Sequence, residues 1–192
     1  MNHSIEIWGP YQAFYIESML SVSSSAVTST EKLATLFNPG YDLSEVQPED
    51  ILDVIQNIFT QAAVLSRYFW TVKKKENMHK ARSQYLRTVF NLTESSPIKN
   101  RKLRNMIEHF DEKLDVFVSK PVVGQIVPNY VGLEPENNGV LYHVFRAYYY
   151  QIGIFEILGE RFELQPVVDE IYEIHRKLIK FGEAGHVFRI SP

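Results

Sequence analysis

The feature that most limits what this chain can fold into is a single apolar stripe. Leu103, Ile107, Phe110, Leu114 and Phe117 recur at spacings of 4, 3, 4 and 3. That rhythm keeps five large side chains on one side of a 3.6-residue helix, so the segment must bury a seam against other elements and cannot alternate as a strand would. Ser96 and Pro97 read as its cap and first helical residue, and the helix is expected to continue to about Lys120.

The same period organises the rest of the first 120 residues. A first helix is expected from Tyr11 to Phe37, with a break in its Ser/Thr-rich middle, SVSSSAVTST, where hydroxyl side chains compete for backbone groups. Pro39 and Gly40 end it. A second begins at Pro48, with Glu49 and Asp50 at its positive pole, and runs through Ile51, Ile55, Ile58, Ala62 and Leu65 to about Lys75. A third spans about Asn77 to Leu92.

Beyond Lys120 the texture changes. PVVGQIVPNYVGLEPENNG reads as a long loop or irregular extended piece. VLYHVFRAYYY and IGIFEIL are rich in β-branched and aromatic residues and lie close together, which predicts an antiparallel hairpin with its aromatics packed on helices. A last helix starts near Pro166 and stops at FGEAG. The fold class is mainly α: a bundle of about five helices with an appended β-hairpin. With 192 residues, 45% of them hydrophobic, the chain supports one core and one domain: bundle over 1–120, loop and hairpin over 121–164, C-terminal helix over 165–182.

Charge and composition narrow the chemistry. A net charge of -3 gives no overall attraction to nucleic acid or anionic lipid, so any such binding needs a local patch. The absence of cysteine removes disulfides, thiolate metal sites and cysteine nucleophiles. No apolar run is long enough to span a bilayer, and the expected location is cytoplasmic with no membrane contact. There is no phosphate-cradling glycine loop, no Gly-x-Ser-x-Gly and no His-Glu-x-x-His. Glu76-x-x-His79 has di-iron spacing but lacks the second motif and further glutamates such a site needs, and Glu173 and His175 read as surface residues.

The stretch RNMIEH, Arg104 to His109, lies within the seam helix. On a helical wheel with Leu103 at zero, the seam falls within about 40° of zero, whereas Arg101, Arg104, Asn105, Glu108, His109 and Glu112 spread over roughly 100° to 240°. They are expected to face away from the core. Arg104 and Glu108 are an (i, i+4) pair of the kind common on solvated helices, worth about 0.3 kcal/mol there. Between Lys73 and Arg104, however, lie ten of the chain's twenty basic residues: Lys73, Lys74, Lys75, Lys80, Arg82, Arg87, Lys99, Arg101, Lys102 and Arg104, against Glu76 and Glu94. If the third and fourth helices lie side by side, their outer faces form a positive surface leading to Arg104, as a polyanion requires; the same residues also suit a solubilising face.

LRNMIEHFDEKLD, Leu103 to Asp115, resembles the signature helix of the HEPN superfamily, whose nuclease motif is Arg, a polar residue that is often Asn, three further residues and His. The resemblance implies a metal-independent endoribonuclease with no cofactor, acting as a homodimer in a toxin or phage-defence setting, with RNA as substrate and an antitoxin protein as a partner. It assigns His109 to the ribose 2′-hydroxyl or the leaving oxygen, Arg104 to the scissile phosphate and Asn105 to orientation, with Arg101, Lys102 and Glu108 as substrate-binding residues and no metal ligands. A non-catalytic dimerisation or protein-interaction module of the same fold is the alternative, and a metal-binding oxidoreductase bundle a distant third.

Overall fold

In the computed structural model, the described residues are 7, 9–38, 46–71, 77–119, 121, 123–135 and 139–189. The architecture is built around α2 (Pro48–Phe69). Its apolar residues occupy more than one face: Ile51, Ile55, Ile58, Ala62 and Leu65 are buried as the periodicity predicts, and so are Leu52, Phe59 and Phe69. A helix that buries about half of its circumference must be covered by more than one neighbour. Around it pack α1 (Gly9–Leu36), α3 (Asn77–Phe90), α4 (Arg101–Glu108) and α6 (Leu164–Glu183), and a four-stranded sheet covers the remaining side.

Helix α1 corrects the expected break, because it runs unbroken through the Ser/Thr-rich stretch. Its hydroxyls are spent on neighbouring helices: Ser18 Oγ lies 2.6 Å from the Tyr68 hydroxyl, and Ser29 accepts from Asn57 Nδ2 at 2.8 Å. Ser23, fully buried, meets His175 Nδ1 at 2.9 Å. His175 is therefore not the surface residue that the sequence predicts; Glu173, paired with Arg176, is exposed.

The seam helix is also revised. Residues Pro97–Lys99 form a 3-10 turn, α4 follows, and His109, with φ -126° and ψ 42°, separates α4 from α5 (Phe110–Val118). The seam keeps its direction but divides its work. Leu103 and Met106 are buried in the helical core, whereas Phe110 and Phe117 of α5 reach the sheet, edge-on to Phe145 and His143 at 5.9 and 6.4 Å. Helix α2 ends at Phe69, short of the expected Lys75, with Trp70 in extended geometry as its C-cap. Lys73, Lys74, Lys75 and Glu76 lie outside the described residues, as do Pro39 and Gly40.

The hairpin is present as β2 (Tyr142–Tyr149) and β3 (Ile154–Ile157), antiparallel with Tyr148 opposite Phe155. It is part of a mixed sheet in the order β1-β2-β3-β4, so a hairpin alone understates it. β1 (Gln125–Gly132) occupies the stretch read as irregular loop and runs parallel to β2, while β4 (Glu160–Glu163) runs antiparallel to β3. β1 begins at a close approach that only glycine permits: Gly124 has φ 123°, and a Cβ there would sit 2.1 Å from the Leu141 carbonyl oxygen. The sheet is fixed on α2 by Phe59, stacked on Phe155 at 5.4 Å and tilted against Phe162 at 5.9 Å. Arg146 of β2 adds hydrogen bonds to Asp53 and Gln56 of α2 at 2.5 and 2.9 Å. Among the described residues the helices number six, plus the 3-10 turn, where about five were expected.

Candidate functional site

The polar face of α4 does not look into bulk water. It closes a cleft of about 970 Å³ against the end of α2 and one stripe of α3. Two anchors set α4 in place. The Asn100 side chain caps the helix by accepting from the Lys102 and Leu103 amides at 3.0 and 3.2 Å. Ahead of it, the Glu170 carboxylate of α6 accepts from Ser96 Oγ at 2.5 Å and the Ile98 amide at 3.1 Å. With Leu103 and Met106 turned inward, Arg104, Asn105 and Glu108 turn toward α2 and α3. On α3, Lys80, Ser83, Gln84 and Arg87 follow at spacings of 3, 1 and 3 and present one face to the same cleft.

The end of α2 explains why guanidinium groups gather here. The last carbonyls of a helix have no partner within it and carry the negative end of its dipole. Arg82 donates to the Arg67 carbonyl at 3.0 Å, Arg87 to that of Phe69 at 2.6 Å, and Arg104 to that of Trp70 at 3.3 Å. Arg104 is only 14% exposed, and the Glu108 carboxylate lies 3.9 Å from its Nε. That carboxylate is held more tightly by Arg67, whose Nε donates to it at 2.8 Å. Across the cleft, Glu94 accepts from Lys99 and from the Trp70 indole N–H. These two hydrogen bonds, that of Lys99 first, hold its carboxyl below the usual carboxylate range.

His109 sits at the rim, 52% exposed, with Nδ1 3.7 Å from Glu112. Its place at the junction of α4 and α5 departs from the straight wheel drawn from the sequence, yet it still lines the cleft with Arg104, Asn105, Glu108 and Arg101. Lys102 does not join them. It turns to the other side of α4, where its ammonium pairs with Glu160 of β4 at 3.3 Å and borders a smaller hollow of about 340 Å³. Sequence reasoning did not single out Trp70, Ser83, Gln84 or Asn100. The three-and-four spacing along α3 was the available signal for two of them, whereas the part played by Trp70 depends on where α2 stops.

Around the cleft Lys80, Arg87, Lys99, Arg101 and Arg104 stand against Glu94 and Glu108, in a chain whose overall charge is -3. Focused positive charge in a concave site favours a polyanion over a small neutral ligand. Among the described residues, no group of three His, Asp or Glu side chains is arranged to hold a metal ion, and no helix is long and apolar enough to cross a membrane. No family model matches the chain, and no match is found among curated proteins or solved structures. What the site is thus rests on geometry: a cleft lined mainly by cationic side chains, with an imidazole at its entrance.

Proposed function

We propose that this chain is a HEPN-like protein that binds RNA in the α2–α3–α4 cleft and cleaves it without a metal, as a homodimer in a toxin or phage-defence setting with an antitoxin protein as its counterpart. The observation that carries this reading is the concentration of five cationic side chains around one cleft of an acidic chain. Arg104 supplies a preorganised guanidinium for a phosphate oxygen, fixed by the Trp70 carbonyl. His109, half exposed at the rim, places an imidazole where it can serve as the base. The imidazole takes the proton of a ribose 2′-hydroxyl, the freed oxygen attacks the neighbouring phosphorus, and the bond from phosphorus to the 5′-oxygen breaks. The leaving oxygen takes its proton from an imidazolium, the role a second copy's histidine fills in a dimer. Asn105 orients the strand, Arg101 holds a phosphate beside it, and Glu108 braces Arg104. Lys102, paired with Glu160 on the far side of α4, takes no part in this cleft.

A second reading has its own observation. Arg87 and Arg104 already satisfy the end of α2, and Glu108 already has a partner in Arg67, as in a non-catalytic binding module. The test is cleavage of end-labelled single-stranded RNA in EDTA, beside binding to the same RNA. Arg104→Ala and His109→Ala are each expected to lose about 100-fold or more in rate with the fold intact. Cleavage that survives both changes overturns the catalytic assignment, and tight binding without cleavage by the wild type supports the module. Polyglutamate binding as tightly as RNA of equal length overturns the nucleic-acid reading. Sedimentation at micromolar concentration tests the homodimer, which an active monomer refutes.

A further inference from the structure

We propose that Arg67 and Arg104 form a phosphate-binding subsite, which the Glu108 carboxylate fills until a phosphodiester of RNA displaces it. The inference rests on the RNA reading above and adds to it one binding residue, Arg67, and a mode of regulation. A single oxygen, Glu108 Oε1, gathers two guanidiniums: it lies 2.8 Å from Arg67 Nε, 2.6 Å from Arg67 Nη2 and 3.9 Å from Arg104 Nε. Two cations brought to one point repel each other unless an anion stands between them. Here the chain supplies that anion itself. All three groups are within reach of a ligand: the side chains of Arg67, Glu108 and Arg104 are 51%, 21% and 14% exposed, and Glu108 and Arg104 line the cleft.

Glu108 is held in that place by the arginines and not by its own helix. It is the last residue of α4, where the helix dipole favours a cation and disfavours a carboxylate. The arginines have separate reasons to be there. Arg104 donates to the Trp70 carbonyl at 3.3 Å, and Arg67 belongs to the last turn of α2, where a cation suits the negative pole. The exchange is balanced in charge, because a carboxylate and a phosphodiester each carry one negative charge and present acceptors alone. The two non-bridging oxygens of a phosphodiester match the Nε and Nη2 fork of Arg67, which spends both donors on one carboxylate oxygen. The role given to Arg104 also requires the exchange. A phosphate on that guanidinium would stand beside the Glu108 carboxylate, and two anions at such range repel. A ligand must therefore outcompete a tethered carboxylate. A lone small anion does so weakly, whereas a strand held as well by Lys80, Arg87, Lys99 and Arg101 brings its next phosphate at high effective concentration.

The experiment is fluorescence anisotropy with one short single-stranded RNA over a range of NaCl concentrations, for wild type, Glu108→Gln, Arg67→Ala and the double variant. Glu108→Gln keeps the size of the side chain and a carbonyl acceptor but removes the charge, so it should bind about 5-fold more tightly than wild type. Glu108→Ala should show the same gain, so the result does not hang on one substitution. Arg67→Ala should change affinity by less than about 2-fold in wild type, where the lost contact is offset by the pair that no longer has to break. In the Glu108→Gln background it should weaken binding about 5-fold and lower the slope of log K against log salt by about 0.7, the loss of one phosphate contact on a single strand. Melting temperatures should stay within about 3 °C of wild type, since ion pairs this exposed contribute little to stability. If both Glu108 variants bind no more tightly than wild type, or if Arg67→Ala acts by the same factor in both backgrounds, the subsite is overturned while RNA binding stands. No binding by wild type and Glu108→Gln alike overturns the RNA reading and this inference together.

Discussion

Removing one carboxylate on α6 should loosen the front of the cleft. Glu170 Oε2 accepts from Ser96 Oγ at 2.5 Å and from the Ile98 amide at 3.1 Å, and those residues are 8% and 1% exposed. Glu170→Ala leaves two donors unpaired where water has little access, at about 1–3 kcal/mol each. The serine hydroxyl can rotate toward another acceptor and the amide cannot, so the expected loss is about 3 kcal/mol. For a chain of this size that lowers the melting temperature by roughly 6–12 °C. Glu170→Gln retains a carbonyl acceptor and should cost about 1 kcal/mol. The 3-10 turn also carries Lys99 and leads into Asn100 and Arg101, so RNA affinity should fall with stability in Glu170→Ala. Circular dichroism melts and urea titrations measure the first effect, and anisotropy the second. A Glu170→Ala protein that melts within about 2 °C of wild type, or a Gln variant as damaged as the Ala variant, refutes the reasoning.

Two further outcomes follow from the core. Phe59→Ala, which removes the ring packed between Phe155 and Phe162, should cost about 3–5 kcal/mol in urea unfolding, and a loss under about 1.5 kcal/mol contradicts its place as the sheet's anchor. Burial pushes the His175 imidazole below its ordinary range, opposed by the Glu31 carboxylate, so the folded chain takes up that proton at lower pH than the unfolded chain. Between the two values the unfolded chain holds more protons, stability rises with pH, and stability is lost as pH falls through about 6.5. His175→Gln, which keeps a partner for Ser23, should flatten the melting temperature between about pH 7.5 and 5.5, and an undiminished slope excludes His175 as its source.

Much of the helical framework was legible because burial leaves a period. Ile51, Ile55, Ile58, Ala62 and Leu65 marked the inner face of α2, and Leu103 marked that of α4. What was not legible depended on tertiary partners. Helix α1 runs through its serines because Tyr68, Asn57 and His175 pair with the hydroxyls, and no local rule names those residues. The junction at His109 involves neither Gly nor Pro. It falls where the seam passes from helical neighbours to the sheet, so periodicity alone reads a single rod. β1 was hidden by Pro128, which argues against a strand wherever the edge position is unknown, and β4 by its length of four residues, three of them charged. Within the candidate site, the wheel separated Arg104, Asn105 and Glu108 from the core, but showed neither the wall opposite them nor the α2 carbonyls that hold the arginines.

The sheet's two outer strands make the folded molecule a poor template for fibre growth. Gln125 gives its amide inward, to Leu141, so by alternation the backbone nitrogen of Pro128 points away from β2, where it has no hydrogen to offer a newcomer. The opposite margin is β4, too short and too charged to nucleate an added chain. Concentrated, intact protein should therefore resist cross-β polymerisation, and thioflavin binding should rise only after the strands are pulled out of register by unfolding.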